Sequence, residues 1–357
     1  MFYNCHIHIF RDIDIPNRFL PLALVKLLRT KVGFHFIATS LKRIVPFTDK
    51  DMFDRYVRFA TLGKLGSQQK IFEACRKFYP SDTEFFVLTM DMAFMNAGKA
   101  PRDFPEQLEE LADLKRIYPQ LLPFIHIDPR RKEIYSLFRK CIDEWDFKGI
   151  KLYPPLGYFP YDEGLDDIYA YCQEKNLPVV AHCSPFNPVR NKGSKKEIKK
   201  LLENSRKEIE THKVKKKVLC SYFTDPRNYI YVIEKFPKLK ICFAHFGSSY
   251  AWNKYLTDPD EKENWFNIIR EMIKKYDNFY TDVSFTMNDK NLFPLLKVML
   301  ADPILNKKVL FGSDYYMVAT ESDERRFGIE FRAFIGEENF KKIAYENPRR
   351  FLRIVSK

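Results

Sequence analysis

The amino-acid sequence predicts an α/β protein: a single-domain (β/α)8 TIM barrel with loop insertions at the carboxyl ends of its strands. Eight short apolar segments alternate with amphipathic stretches typical of helices, a pattern that favours a parallel sheet with helical crossovers. The chain has 357 residues, an ordinary length for one such barrel. No Gly/Ser-rich linker or change of composition divides it, so residues 1–357 are predicted to form one domain.

The predicted elements follow one another at regular intervals. The expected strands are residues 2–9, 84–91, 121–127, 149–153, 178–182, 239–245, 279–283 and 309–311. Helix-like stretches lie near residues 64–78, 103–118, 131–145, 164–176, 226–236, 260–276, 288–300 and 321–353. Eight repeats of this alternation predict closure of the sheet into a barrel.

Two insertions interrupt the repeat. Residues 11–60 form a long segment after the first strand and are predicted to roof the active site, as long loops after barrel strands often do. Residues 192–217 hold eleven Lys/Arg and four Glu and are predicted to be a basic helical insertion. Its helix is expected to begin with a capping box, Ser194 followed by Glu197, and to place Ile198, Leu202 and Ile209 on one side.

The charge and cysteine content narrow the function classes. The formal net charge is +13, and over half of the surplus lies in the 192–217 insertion, where aromatic residues are not interleaved with the basic ones. A solvated lid or a dimer contact therefore explains it better than a nucleic-acid site. Seven cysteines, none in CxxC spacing, are expected to be reduced thiols of a cytoplasmic protein. No secretory signal or membrane span is evident.

The first strand ends in Cys5-His6-Ile7-His8. Side chains alternate along a strand, so His6 and His8 project to the same side, which is the barrel interior if Cys5 and Ile7 face the helices. Two neutral imidazoles side by side form half of a metal site. Taken alone, the pair is equally consistent with two unrelated strand histidines.

The other histidines favour the metal interpretation. His182, His245 and His126 end the fifth, sixth and third predicted strands, and Asp314 follows the eighth. Five of seven histidines therefore lie at strand carboxyl ends, where barrel active sites are built.

Lys151 lies in the fourth predicted strand and is expected to face the barrel interior. Burial lowers the pKa of an amine, and a neutral amine can take up carbon dioxide to become a metal-bridging carbamate. A charged lysine that binds a substrate carboxylate is the alternative, and the sequence does not separate the two.

This order of residues resembles the amidohydrolase superfamily: His6 and His8 on strand one, Lys151 on strand four, then one histidine each on strands five and six and an aspartate on strand eight. The resemblance spans the whole chain. It is closest to the amidohydrolase-related branch, which includes aminocarboxymuconate-semialdehyde decarboxylase and related lactonases. Gly-Ile-Lys-Leu-Tyr-Pro-Pro-Leu-Gly at 149–157, the segment at 236–247 and Glu-Asn-Pro-Arg-Arg-Phe-Leu at 346–352 support that branch.

The resemblance implies a divalent metal, with zinc expected, in one of two schemes. In the scheme that we favour, His6, His8, His182 and Asp314 hold a single ion. In the other, a carbamylated Lys151 bridges two ions. His6, His8 and Asp314 then hold the first ion, and His182 and His245 hold the second. The KLYP string resembles the strand-four lysine of dihydroorotases and favours two ions, whereas the branch-level strings favour one.

The predicted function is that of a metal-dependent hydrolase attacking an acyl C–O or C–N bond of a small substrate with metal-activated water. Asp314 and His245 are the predicted catalytic residues: the carboxylate moves a proton, and the imidazole polarises the carbonyl or acts as base. The alternative is a non-oxidative decarboxylase of an aromatic or dienoic acid on the same scaffold. A non-catalytic ligand-binding barrel is a third hypothesis, disfavoured by the intact His/Asp set.

The predicted substrate contacts lie at or just beyond strand ends. They are Tyr153, His126, Arg130, Arg190 and Tyr315. An anionic or aromatic carboxylate substrate would suit these side chains. Surface solvation or loop packing is the alternative for each of them, and it is favoured for either arginine taken alone. No nucleic-acid or membrane partner is expected, and a homodimer is the expected assembly.

Overall fold

The computed structural model describes residues 1–19, 24–33, 35, 50–187, 189–320 and 323–353. Eight parallel strands form one sheet in which each strand pairs with the next along the chain. They are Tyr3–Ile7 (β1), Glu84–Leu88 (β2), Leu121–Ile127 (β3), Gly149–Leu152 (β4), Val179–His182 (β5), Ile241–Ala244 (β6), Phe279–Asp282 (β7) and Val309–Leu310 (β8). The predicted (β/α)8 barrel is confirmed, although most strands are shorter than the sequence suggested.

The last strand returns to the first and nearly closes the sheet. The backbone N–H of Cys5 donates to the carbonyl of Phe311 at 2.8 Å, and the N–H of Asp314 donates to the carbonyl of His6 at 2.9 Å. Ile7 and Tyr315 form a parallel bridge beyond them. These contacts between β1 and the segment after β8 place Asp314 beside the end of β1.

Helices connect the strands. They are Leu24–Arg29 (α1), Lys50–Gly63 (α2), Gln68–Arg76 (α3), Phe104–Ile117 (α4), Ile134–Asp143 (α5), Asp166–Lys175 (α6), Lys195–Leu202 (α7), Lys216–Tyr222 (α8), Asn228–Lys235 (α9), Ser248–Thr257 (α10), Trp265–Lys275 (α11), Phe293–Met299 (α12), Glu324–Ile335 (α13), Glu337–Lys341 (α14) and Asn347–Phe351 (α15). The single helical stretch predicted near 321–353 is wrong. Gly336, with φ of +83°, separates α13 from α14, because that conformation suits glycine and ends a helix.

Two hydrophobic clusters flank the sheet, and they show which way the strands face. One cluster takes alternate residues from seven strands, among them Tyr3, Cys5 and Cys242, and is the barrel interior. The larger cluster contains Ile7 and packs between the sheet and the helices. The sequence argument assumed that Cys5 also faces the helices, and this is wrong. The pairing of β1 with β2 has an irregularity between Asn4 and Ile7, which shifts the alternation.

The two predicted insertions have different outcomes. Within 11–60, residues 20–23, 34 and 36–49 lie outside the described part, and the roofing role of the whole segment stays a prediction. In 192–217, Ser194 and Glu197 form the expected capping box at the start of α7. The helix ends at Leu202, so Ile209 lies beyond it, although its side chain still packs against the small cluster around Ile198.

Other sequence expectations concern compartment and partners. All seven cysteines are buried and free. Among the helices that the structure describes, none is long and apolar enough to cross a membrane. The cytoplasmic location, the homodimer and the lack of nucleic-acid binding stay predictions.

Candidate metal centre

His6 lies near the carboxyl end of β1 and is buried. Its Nδ1 is 2.9 Å from Oδ2 of Asp282 and 3.0 Å from the hydroxyl oxygen of Ser284. Because a carboxylate only accepts, the Asp282 contact places the ring proton on Nδ1. The lone pair is then on Nε2, which lies 3.6 Å from Oδ1 of Asp314.

His8 follows the end of β1 and is oriented in the same way. Its Nδ1 lies 2.8 Å from the backbone carbonyl of Leu88 on β2. A carbonyl oxygen can only accept, so this contact also leaves the lone pair on Nε2. That atom is 3.3 Å from Oδ1 of Asp314. The pair predicted from alternation thus points two imidazole lone pairs at one carboxylate oxygen.

Asp314 sits just after β8 in an unusual backbone conformation, with φ of +63°. Gly312, two residues earlier, allows β8 to approach β1, because a Cβ there would lie 2.7 Å from the Cβ of His6. Oδ1 of Asp314 is buried and accepts no well-formed hydrogen bond from the residues that the structure describes. A buried carboxylate oxygen facing two imidazoles, without a proton donor, has the chemistry of a metal ligand.

His245 and His182 lie on the other side of Asp314 and contact each other. Nδ1 of His245 is 3.0 Å from the carbonyl of Ser284, and its Nε2 is 3.1 Å from Nδ1 of His182. Nε2 of His182 accepts from the side-chain amide of Asn187. Ligand atoms of His6, His245 and Asp314 all lie within 4.8 Å of one another. His245 therefore stands closer to this group than His182, the residue that the one-ion scheme assigned as a ligand.

The ionisation states suit a divalent cation. Burial lowers the pKa of His6 to about 4, and it also lowers the pKa values of His182 and His245. Burial alone would raise the pKa of Asp314, but the adjacent His6 and His8 hold it below its ordinary value. These shifts favour an ionised Asp314 and neutral rings of His6, His182 and His245, which are the forms that bind metal. The residues present therefore fit a zinc-like ion.

Lys151 lies on β4, fully buried and in register with His126 of β3. Burial lowers the pKa of Lys151 to about 8, although the charges of Asp282 and Asp314 act to raise it. Its Nζ has no hydrogen-bond partner among the described residues. A lysine of this kind remains compatible with both predicted states, the carbamate and the ammonium.

Sequence reasoning missed the residues that hold the histidines. Asp282, at the end of β7, contacts His6 and accepts at 2.9 Å from the backbone N–H of His245. Ser284 contacts the same two rings at 3.0 Å each. The signal was available, because Asp282 is an acidic residue within an apolar predicted strand, at the height of the histidines. Asn187 gave no such signal, since it lies in a loop whose position depends on the fold.

A cavity of about 130 Å³, open to solvent at its mouth, adjoins the group. His8, His182, His245 and Asp314 are part of its wall. Tyr153 also lines it and stacks on His182, with ring centroids 4.2 Å apart. Of the five predicted substrate contacts, Tyr153 alone lies in the described wall.

The two arginines predicted to bind substrate point elsewhere. Arg130 donates to both carboxylate oxygens of Asp128, at 2.8 and 2.6 Å, and its guanidinium packs over Phe94. Arg190 donates to the backbone carbonyl of Asn187. Neither contributes to the described wall of the cavity. Position after a strand end did not suffice, because the Asp128 carboxylate binds Arg130 and the Asn187 carbonyl accepts from one nitrogen of Arg190, whose Nε is buried without a partner among the described residues.

His126 and Tyr315 are also placed differently from the prediction. His126 lies within β3, where its Nδ1 accepts at 2.9 Å from the backbone N–H of Asp91. Tyr315 belongs to the cluster between sheet and helices and is only 2% exposed. A direct contact with substrate is therefore not supported for either residue, since neither lines the described wall.

The fold is that of a TIM barrel, and the group at its strand ends contains the residue types of a metal site. The chain belongs to the amidohydrolase family: a family model described as amidohydrolase matches residues 81–354. The matched region includes Lys151, His182, His245 and Asp314 but begins after β1, so it does not include the first two histidines. The resemblance drawn from the sequence is confirmed, and the family supports an enzyme.

Similar solved structures share the fold across nearly the whole chain. An uncharacterised TIM-barrel protein from Bordetella bronchiseptica is 14% identical, with a TM-score of 0.56 and coverage of 99% of this chain and 98% of its own. The 5-carboxyvanillate decarboxylase of Novosphingobium aromaticivorans, with bound manganese, is 13% identical at a TM-score of 0.54, with coverage of 99% and 97%. A probable 2-pyrone-4,6-dicarboxylic acid hydrolase from Acinetobacter baumannii is 10% identical at 0.53, with 99% of both chains covered.

Proposed function

We propose that this protein is a metal-dependent hydrolase that cleaves an acyl C–O or C–N bond, as in a lactone, ester or amide. The observation that carries the proposal is the convergence on Asp314. Nε2 of His6 and of His8 lies 3.6 and 3.3 Å from its unpaired Oδ1, beside an open cavity. Two imidazoles and a carboxylate are the donor set of hydrolytic metal sites that leave a coordination position open.

In the proposed centre, His6, His8 and Asp314 hold one ion, with zinc as the expected metal. His245, which already lies within 4.8 Å of His6 and Asp314, or His182, once its contact with Asn187 is released, would supply the fourth ligand. A divalent cation supplies Lewis acidity, which makes water a nucleophile at neutral pH and polarises a carbonyl.

The side chains supply positioning and proton transfer. Asp314 is ionised, so it can accept a proton from the attacking water and return it to the leaving group. His245 is oriented through its backbone N–H by Asp282 and through Nδ1 by Ser284, and it lines the cavity where a substrate carbonyl would lie. The apolar residues of the wall exclude bulk water, which strengthens these electrostatic interactions.

The proposal is tested with the full chain, stripped of metal and reloaded with zinc or manganese. We expect turnover of at least one member of a panel of lactones, esters and anilides, with and without carboxylates, together with loss by chelation and return on adding metal. Asp277→Asn, an exposed carboxylate, serves as the matched control for Asp314→Asn. Metal-loaded protein that turns over none of the panel contradicts the proposal, and carbon dioxide release from an aromatic or dienoic acid shifts the function to decarboxylation.

A further inference from the structure

The wall of the cavity away from the metal group is apolar. Most of its hydrophobic residues come from segments that follow β1, β2, β7 and β8, and include Phe10, Met90, Met92, Phe285 and Met317. The polar residues of the wall are the histidines and Asp314 of the metal group, Tyr153 and small uncharged side chains. Tyr153 and Asn187 contact His182, and Thr286 donates to the His245 carbonyl, so these polar residues lie beside the metal group. The hydrophobic residues can contact only an apolar portion of a ligand.

One side of the wall has a fixed shape. The ring of Tyr316 packs between Phe10 and Phe59, with centroid distances of 5.2 and 5.0 Å. Its hydroxyl donates to the backbone carbonyl of Phe10 at 2.7 Å. Both flanking phenylalanines line the cavity, so this surface is held in place by side chains behind it.

The arginines that follow β3 and β5 lie outside the described wall. No lysine or arginine lines the cavity within the part of the chain that the structure describes. Arg131 forms an ion pair with buried Asp91, and Arg130 forms one with Asp128 at 2.6 Å. Nη1 of Arg190 donates to the Asn187 carbonyl, and its Nε is buried without a hydrogen-bond partner among the described residues. A carboxylate against the described wall would therefore lose its hydration without meeting a cation in that wall.

We propose that the substrate of this site is an uncharged acyl compound whose reacting carbonyl carries an aliphatic or aromatic body without a second carboxylate. The inference rests on the proposed hydrolytic function and replaces the anionic substrate that the sequence suggested. The decarboxylase and the dicarboxylic acid hydrolase of similar fold are both named for carboxylated compounds. We infer from the apolar wall that the substrate of this protein differs from those compounds because it lacks a second carboxylate.

Matched acyl groups test the proposal. The 4-nitrophenyl esters of butanoic and hexanoic acid are compared with the mono-4-nitrophenyl ester of adipic acid, which has the hexanoyl length and a terminal carboxylate. We expect kcat/KM to rise about fourfold per added methylene and to be at least about 100-fold lower for the adipoyl ester. Equal or better hydrolysis of the adipoyl ester overturns the proposal.

Three variants show which residues cause the preference for one acyl group over the other. Met317→Arg places a cation in the described wall and is expected to reduce the preference for hexanoyl over adipoyl by about tenfold or more, whereas Met317→Leu preserves it. Arg190→Gln should leave the ratio of the two substrates unchanged, because Arg190 does not line the described wall. Selective loss of adipoyl hydrolysis in Arg190→Gln would show a cation serving the site and overturn the proposal.

A binding measurement without turnover tests the substrate class independently of the proposed hydrolytic function. Hexanohydroxamic acid and adipic monohydroxamic acid, titrated calorimetrically into the metal-loaded full chain, report discrimination without turnover. Tighter binding of the hexanoyl compound by about 100-fold, with no ester hydrolysed, supports the substrate class and contradicts the hydrolase. Ester hydrolysis accompanied by equal affinity for the two hydroxamates supports the hydrolase and contradicts the substrate class.

Discussion

Nδ1 of His6 lies 2.9 Å from Oδ2 of Asp282, and both side chains are 1% exposed. The contact joins the end of β1 to the end of β7 across the barrel interior. Although burial acts to raise it, the neighbouring His6 and His245 hold the pKa of Asp282 below its ordinary range. A permanently ionised partner on Nδ1 keeps the Nε2 lone pair of His6 directed at Asp314.

The first prediction concerns this contact. Asp282→Asn preserves the shape but removes the charge that fixes the His6 tautomer, so we expect about 10- to 100-fold weaker metal binding. Competition with a chromogenic chelator measures the affinity, and the melting temperature of the metal-free variant monitors folding. An unchanged metal affinity would show that Asp282 does not position the ligand.

Asp314 is expected to serve in binding and in proton transfer. Asp314→Asn should lower kcat by about 10²- to 10⁴-fold even at saturating metal, since an amide cannot accept the proton from water. Kinetics of variant protein with confirmed metal occupancy provide the measurement. Asp277→Asn is expected to retain normal turnover, and near-normal turnover of the Asp314 variant would refute the assigned role.

The covalent state of Lys151 and the number of bound ions distinguish the two metal schemes. We predict one ion per chain by elemental analysis, and a native mass without the increment of one carbon dioxide. Two ions with that increment, lost in Lys151→Met, would establish the bridged centre. In the metal-free protein, Lys151→Met should raise the free energy of unfolding by about 1–3 kcal/mol, because it removes a buried amine without a hydrogen-bond partner in the described structure.

The free energy of unfolding is expected to depend on pH through Glu324. It lies at the start of α13, 5% exposed, and accepts from the hydroxyl of Tyr79. Burial raises the pKa of Glu324 from an ordinary 4.5 to about 7, despite hydrogen bonds from Tyr79 and Ser313 that lower it. The folded state thus favours the protonated acid, whose stabilisation is complete below pH 4.5 and is lost as the pH rises through about 7.

Glu324→Gln should therefore flatten the pH profile. Between pH 5 and pH 9 the wild-type protein should lose up to about 3 kcal/mol more of its free energy of unfolding than the variant. Denaturant unfolding at each pH measures the difference. Glu271→Gln, on α11 with a side chain 66% exposed, is the matched control and should leave the wild-type profile unchanged. Parallel profiles for wild type and Glu324→Gln would exclude Glu324 as the source.

The sequence predicted most of the metal group because its members obey local rules. Alternation along a strand places His6 and His8 on one side whatever surrounds them, and parallel strands of a barrel end at one face. His182, His245 and Asp314 could therefore be assigned to the same face without knowledge of the loops. The same reasoning could have included Asp282, which ends β7 in the interior of the barrel.

The substrate contacts could not be predicted in this way, because the orientation of a long side chain after a strand depends on its nearest partner. Arg130 donates to the Asp128 carboxylate and Arg190 to the carbonyl of Asn187, whereas Tyr315 packs in the core between sheet and helices. Position along the chain contains no information about which of these partners is closer. The apolar wall likewise brings together residues up to three hundred positions apart, such as Phe10 and Met317.

By itself the sequence determined the barrel and placed the side chains proposed to bind metal at one face of it, since these follow from periodicities of two and 3.6 residues and from the topology of parallel strands. Only the tertiary structure decided which nitrogen of each histidine faces Asp314, because the acceptors Asp282 and the Leu88 carbonyl come from other strands. It also decided that the cavity wall is apolar, since that depends on loops meeting across the barrel mouth.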